Sequence, residues 1–289
     1  MNHQMWLNAA TQHNIDILRQ RGVRILGPAE GDQACGEVGP GRMLEPLDLV
    51  VQAEKVFMND ALAGRHVLIT AGPTWEALDP VRGLSNHSSG KMGYAIAAAA
   101  REAGAQVTLV SGPTQLSAPQ GVSLVPVVSA QEMHDAVQST LAVCAPPVDV
   151  FIGVAAVADY RPLLSSEQKI KKSAESLSIQ LVRNPDVLTA VAAHEHRPYT
   201  VGFAAETQNL EQNAREKLVA KGVDLIAANK VGEGLGFAVD NNALLLVERV
   251  GTTELPYNTK EQLARALVAH VASRINAKNT SKDTRRAHR

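Results

Sequence analysis

The sequence predicts a doubly wound α/β fold: a mostly parallel sheet with helices on both faces and a β-hairpin flap set into it. Three observations carry that expectation. Runs such as "HVLITAG" (66–72) and "DVFIGVAAV" (149–157) are apolar without alternation, as strands covered on both faces must be. Helical segments alternate with such runs, the order that builds a parallel sheet. One polar stretch, residues 159–182, breaks the rhythm and closes on the alternation "LSIQLV", which reads as a hairpin.

Taken in order, residues 8–21 form a helix, with Ile15, Ile17 and Leu18 apolar and Gly22 as its stop. "VRIL" (23–26) reads as a short strand, "GPAEGDQACGEVGPGRM" as a glycine-rich loop, and 45–58 as a second helix. About 60 residues with one clear strand are too few for an independent core. From Gly64 the βα order begins: strand 66–72, a long loop, a helix from Ser89 to Ala103, Gly104 as stop, and strand 106–112. "VSLVPV" (122–127) continues the sheet, and Ser129 with Glu132 forms a capping box for helix 129–141. After the flap, "NPDVLTAVAAH" is a helix with Asn184 as cap and Pro185 at its first position. Strand 199–206, helix 208–221 ended by Gly222, and strands "VDLIAANK" and "NALLLV" follow. The last helix, 260–275, opens on Thr259 and Gln262.

Composition excludes several classes of function. The chain has 289 residues, a formal net charge of −1 and only 3% aromatic residues. A near-zero charge sets up no field for nucleic acid or anionic lipid, and few aromatics leave no stacking platform for single strands. No apolar run approaches the roughly 18 residues of a membrane span, and "MNHQMWLNAA" lacks the order of a signal peptide. Cys35 and Cys144 fit no metal spacing and suit a reducing compartment. The expectation is a cytoplasmic protein that binds neither nucleic acid nor membrane. "KNTSKDTRRAHR" reads as a solvated, flexible basic tail over 276–289.

The loop at 72–88 is far longer than the ~2–6 residues usual after a parallel strand. "RGLSNHSSGKMG" resembles a phosphate loop, yet six residues separate Gly83 from Gly90 and Met92 follows Lys91, so it is no Walker motif. Its hydroxyl and amide side chains, with Gly90 at a helix start, can hold a phosphate or carboxylate. Asp159 ends the long apolar strand, a place for a ligand or a turn cap. "KIKK" (169–172) suits an anion-facing flap or a guarded sheet edge. Lys217 and Lys221 share a helix face, solvated or bridged by an anion, and Asn184-Pro185-Asp186 opens a helix whose amides can receive phosphate. Gathered over one sheet edge, these groups indicate a nucleotide-using enzyme. An NAD dehydrogenase is the competing class, but "AGPTWEAL" lacks the Gly-x-Gly-x-x-Gly turn.

"AGPTWEALDPVRGLSNHSSGKMG", "AAVADYRP", "KIKK", "RNPDVL", "GFAAET" and "AANKVGEGLGF" with "DNNALLL" resemble the bacterial phosphopantothenoylcysteine synthetase over about residues 64–275. "MNHQMW" and "ACGEVGPGRM" resemble the end of the flavin-dependent phosphopantothenoylcysteine decarboxylase, with Glu37 in place of an Asp. The resemblance implies a Rossmann-like ligase domain over 61–275, a decarboxylase remnant over 1–60, and a homodimer through the ligase domain. The implied reaction joins 4′-phosphopantothenate to cysteine through an acyl-cytidylate made from CTP, with Mg²⁺ bridging phosphates on unassigned ligands. It places CTP at Gly153, Val154, Ala155, Asp159, Lys169, Pro185, Asp186, Val187, Leu188, Phe203, Lys217 and Lys221. It places the acyl substrate at Arg82, Asn86 and Ala156, with Asn86 processing the acyl-cytidylate and Lys169 stabilising charge on the triphosphate. Asn2 and Cys35 match the decarboxylase's substrate-binding asparagine and proton donor. The family's flavin segment and active-site histidine lie upstream of the Met-Asn motif, so neither FMN nor decarboxylase activity is expected here. An ATP-dependent ligase of the same fold and a non-catalytic nucleotide-binding fragment are the alternatives.

Overall fold

The computed structural model describes residues 1–34, 36–171, 176–230 and 241–286, the backbone alone at 51, 54–57 and 278–286. The chain divides into two compact units, Met1–Met58 and Asn59–Arg289.

The first unit holds α1 (His3–Leu7), α2 (Ala9–Gln20), β1 (Ala29–Asp32), β2 (Val38–Arg42) and α3 (Pro46–Phe57). β1 and β2 form a two-stranded antiparallel ladder out of the segment read as a glycine-rich loop. Residues 23–26, expected as a strand, are irregular. Apolar character alone does not make a strand, since its backbone groups need a neighbouring ladder, and β1 and β2 pair with each other. Gly41 is the only buried residue among those described in this unit.

The second unit is built on an eight-stranded sheet. Its parallel strands are β3 (His66–Ala71), β6 (Gln106–Ser111), β7 (Ser123–Pro126), β8 (Val150–Gly153), β11 (Tyr199–Glu206) and β12 (Leu225–Lys230). β13 (Asn241–Glu248) and β14 (Thr252–Thr259) add an antiparallel edge, β14 not foreseen from sequence because "TTELPYNT" is polar and contains Pro256. The sheet order is β14-β13-β12-β11-β8-β3-β6-β7. The chain winds outward from β3 to β7, then crosses back to β8 on the other side of β3. The β3/β8 junction is therefore the topological switch point, where such sheets bind ligands outside the carboxyl ends of their strands.

Period-two alternation divides the core between two faces. From β3, Val67, Ile69 and Ala71 join a cluster with α4 (Lys91–Glu102) and α8 (Lys260–Arg286). Leu68 joins the opposite cluster with α5 (Ala130–Val143) and α6 (Val187–Ala192). Ile226 and Ala228 of β12 meet α7 (Leu210–Lys221) on that second side. α8 buries a helical stripe including Leu263, Leu267, Val271 and Ile275. It runs on to Arg286, past residue 275 where the sequence pattern ends it. Among the described residues no helix is long and apolar enough to cross a membrane.

Two local hairpins, one not foreseen and one expected, shape the site. The 72–88 loop contains a small hairpin, β4 (Trp75–Ala77) with β5 (Gly83–Ser85). Its turn is set by Asp79, whose Oδ1 accepts the Val81 and Arg82 amides, each at 2.9 Å. Strands of three residues are too short to show a period. The flap is a hairpin at its base, β9 (Tyr160–Pro162) against β10 (Leu181–Arg183), while "DVFIGVAAV" stays in the sheet only as far as Gly153.

Candidate functional site

The loops after β3 and β8 are stitched together across the switch point. Val154 and Ala156 donate their amides to the Thr70 and Gly72 carbonyls at 3.2 and 2.9 Å, and Thr74 donates to the Ala156 carbonyl at 3.2 Å. Ala158 donates to Thr74 Oγ1 at 3.0 Å. Asn86, the residue after β5, donates its side-chain amide to the same Ala156 carbonyl at 2.9 Å. Two positions expected to hold the acyl substrate, Asn86 and Ala156, thus meet directly. Gly90 caps α4 in the left-handed region, φ +77°, with no side-chain cap, so the first-turn amides of α4 face the end of this loop.

Beside this junction lies a cavity of about 450 Å³, within the range usual for ligand sites. Gly153 and Ala155 form its floor at the end of β8, and Asp159 its rim. Pro185, Asp186, Val187 and Leu188 form one wall, and Phe203, Lys217 and Lys221 another. Val154 and Ala156 do not line it: alternation past β8 turns Val154 toward the α4/α8 core, and Ala156 pairs with Pro73.

Three of the cavity's charged side chains, Lys217, Lys221 and Asp186, have defined partners. Lys217 Nζ donates to the Phe203 carbonyl at 2.8 Å. Burial pulls its pKa below the ordinary lysine value, and Lys221 adds to that, while Glu206, Asp186 and Asp159 oppose it. Lys221 pairs with Asp186 Oδ2. Asp186, not Asn184, is the N-cap of α6, its Oδ1 accepting the Thr189 amide at 2.9 Å. Burial raises the Asp186 pKa, but Lys221 and Thr189 outweigh it and hold the carboxyl below its usual range. The expected phosphate cradle at Asn184-Pro185-Asp186 is therefore a carboxylate cap on a six-residue helix, and the cavity's positive charge comes from Lys217 and Lys221 of α7 and from Arg183 of β10. Asn184 serves as a stitch instead. Its amide nitrogen donates to the Asp159 carbonyl at 2.9 Å and its side chain to the Ala158 carbonyl at 2.8 Å. Arg161 donates to Asn184 Oδ1 at 3.0 Å, closing the wall.

Lys169 and Arg82 are exposed and do not line the cavity. Arg82 forms an ion pair with Asp79 at 2.6 Å. Lys172 of "KIKK" lies outside the described residues, as does Cys35. Asn2 caps α1 in the first unit, accepting the Met5 amide at 2.9 Å. Sequence reasoning passed over Thr70, Phe151, Tyr160 and Arg183 of the lining. Tyr160 had a signal, lying next to Asp159, whereas Arg183 reaches the site only because the flap returns beside β9. Among the described residues no group of three or more His, Cys, Asp or Glu side chains converges.

Comparison with known proteins agrees with this architecture. A family model described as DNA/pantothenate metabolism flavoprotein C-terminal domain matches residues 62–275, and one described as Flavoprotein matches residues 1–58. The Coenzyme A biosynthesis bifunctional protein CoaBC of Vibrio cholerae is 54% identical over 272 residues, 93% of this chain and 67% of that protein. Its Escherichia coli counterpart is 51% identical over 286 residues, 96% of this chain and 69% of that protein. The crystal structure of a CoaBC C-terminal domain superposes with a TM-score of 0.64 at 40% identity, covering 76% of this chain and all of that one. A Cab2 mutant in complex with phosphopantothenate-cysteine shares the fold, with a TM-score of 0.60 at 15% identity over 81% of this chain and 96% of that one. With the match spanning the whole switch-point sheet and identity above half to a relative two-thirds covered, the chain belongs to the DNA/pantothenate metabolism flavoprotein family that includes the CoaBC proteins.

Proposed function

We propose that this chain is a ligase that joins 4′-phosphopantothenate to cysteine at the expense of CTP. The observation that carries the reading is the cavity beside the switch point. It gathers Gly153, Ala155, Asp159, the 185–188 wall, Phe203, Lys217 and Lys221, positions that the family resemblance gives to CTP. Relatives named for coenzyme A biosynthesis and a structural neighbour bound to phosphopantothenate-cysteine support the substrate class.

In this reading the phosphopantothenate carboxylate attacks the α-phosphorus of CTP. A P–O bond forms, the bond to pyrophosphate breaks, and an acyl-cytidylate results. The cysteine amine then attacks the acyl carbon, the amide C–N bond forms, CMP leaves and the amine loses a proton. Lys217 and Lys221 meet the triphosphate's charge where burial strengthens each contact. Asn86, whose side chain bonds the Ala156 carbonyl, processes the acyl-cytidylate, and Lys169 stabilises charge on the departing phosphates. Mg²⁺ bound with the nucleotide would neutralise charge on its phosphates, and Asp159, an exposed carboxylate on the rim, would be the side chain available to hold it. The assembly we propose is a homodimer, supported by exposed apolar side chains on and next to the flap hairpin, including Tyr160, Leu163, Leu164 and Leu181.

Pyrophosphate release, measured with phosphopantothenate, cysteine and either CTP or ATP, tests the reading. Release with CTP well above ATP is the expected result. Faster release with ATP moves the assignment to an ATP-dependent ligase of this fold, and no release with either makes the chain a non-catalytic nucleotide binder.

A further inference from the structure

The Leu78–Arg82 turn does more than link β4 to β5. Asp79 is 2% exposed and its carboxylate is fully engaged. Beyond the two amides of its own turn, Oδ2 accepts Arg82 Nε at 3.1 Å and Nη2 at 2.6 Å. The same Oδ2 accepts the Ile170 amide, 91 residues away, at 3.0 Å. Arg82 Nη2 also donates to the Ile170 carbonyl at 2.7 Å. The pair therefore holds Ile170 by both its backbone donor and its backbone acceptor. Four residues earlier, the Ser166 amide donates to the Leu78 carbonyl at 2.9 Å. Lys169 sits between these two anchors. Its Cα is fixed to the turn on either side, and the turn leads through β5 into Asn86.

We infer that Asp79 is a positioning residue for the reaction, acting through Ile170 to place Lys169; the inference rests on the ligase reading above. Asp79 stays ionised in this role, because Arg82 and the three amides hold its carboxyl far below the usual carboxylate range, against the effect of burial. Arg82 then belongs to the clamp, and its guanidinium spans the two segments that carry Asn86 and Lys169. One small hairpin thereby sets the distance between the residues assigned to the two half-reactions.

Two measurements on the full chain test this. In Asp79→Asn, backbone amide exchange over 166–171 accelerates by about tenfold to a hundredfold, the loss expected for a charge-assisted hydrogen bond. Amides of β3 and β8 stay protected. In steady-state assays, kcat for CTP-dependent pyrophosphate release falls by roughly tenfold or more, while KM for CTP stays within about twofold, because no cavity contact is touched. Adding Asp79→Asn to Lys169→Gln leaves residual kcat unchanged, since a residue that acts through Lys169 has nothing left to place. Unchanged exchange in folded Asp79→Asn overturns the clamp. An equal drop in kcat with and without Lys169 overturns its role. Should Asp79→Asn not fold, Ile170→Pro, which removes the amide donor and also restricts the backbone of 169 and 170, takes its place, and wild-type kcat there refutes the inference. If the wild-type chain releases no pyrophosphate with CTP, the ligase reading falls, and the exchange data still decide the clamp.

Discussion

Gly202→Ala separates the fold's tolerance from the site's. Gly202 lies on β11 beneath the cavity, and a Cβ there would stand 2.7 Å from Leu188 Cδ2 and 2.9 Å from Ile226 Cδ1. Both are too close, so a side chain must move. Ile226 is fully buried in the cluster beneath α7. Leu188 borders the cavity and has open space to turn into. Leu188 should yield. Overpacking a closed core costs about 1–3 kcal/mol, and relief into open space puts this case near 1 kcal/mol. The backbone at 202 is not in the left-handed region, so alanine also returns about 0.4–1 kcal/mol through the unfolded chain. The two nearly cancel, and unfolding free energy changes by less than about 1 kcal/mol. The cavity has no such compensation. A leucine turned into the nucleotide wall is expected to weaken CTP binding by about tenfold, equivalent to about 1.4 kcal/mol. Urea unfolding followed by circular dichroism and calorimetric CTP titration give the two numbers. A stability loss of about 3 kcal/mol with CTP affinity unchanged would refute the argument, since it would mean that the core and not the cavity absorbed the methyl group.

Two further outcomes follow from the charges. Lys217→Met keeps an apolar stem in the half-buried slot but removes the ammonium that burial already disfavours, so stability changes by less than about 1 kcal/mol while KM for CTP rises by roughly tenfold or more; steady-state kinetics and thermal unfolding check both halves. Asp186→Ala removes the α6 cap and should cost about 1 kcal/mol at neutral pH. Because the folded-state pKa of Asp186 is depressed, its contribution is present above the unfolded carboxylate value and is lost as pH falls through the folded one. The gap between wild type and variant in urea midpoints should therefore narrow below about pH 4.

Much of the fold was legible because its signals are local. β3, β6, β11 and α7 fall where apolar runs and glycine stops place them. Ser129 accepts the Glu132 amide at 3.2 Å, although Glu132 reaches back to the Val128 amide, at 2.7 Å, and not to that of Ser129. Failures came where a local pattern needed a distant partner. "VRIL" is apolar enough for a strand, but a strand exists only with a neighbour to bond. Asn-Pro-Asp is a common helix opening and reads as an Asn184 cap, yet Asp186 holds that position and also pairs with Lys221, while Asn184 bonds the Asp159 carbonyl.

The sequence by itself determined the doubly wound class, the place of most strands and the chemistry on offer: hydroxyl and amide groups after β3, carboxylates at Asp159 and Asp186, lysines on one face of α7. Periodicity and capping are properties of neighbours along the chain, so they can be read there. Only the tertiary structure decided which of these groups share a cavity, that Asp79 closes on Ile170, and that Lys217 bonds the Phe203 carbonyl. Those outcomes depend on burial and on hydrogen bonds across 14 to 91 residues of sequence, distances over which one-dimensional patterns carry no geometric information.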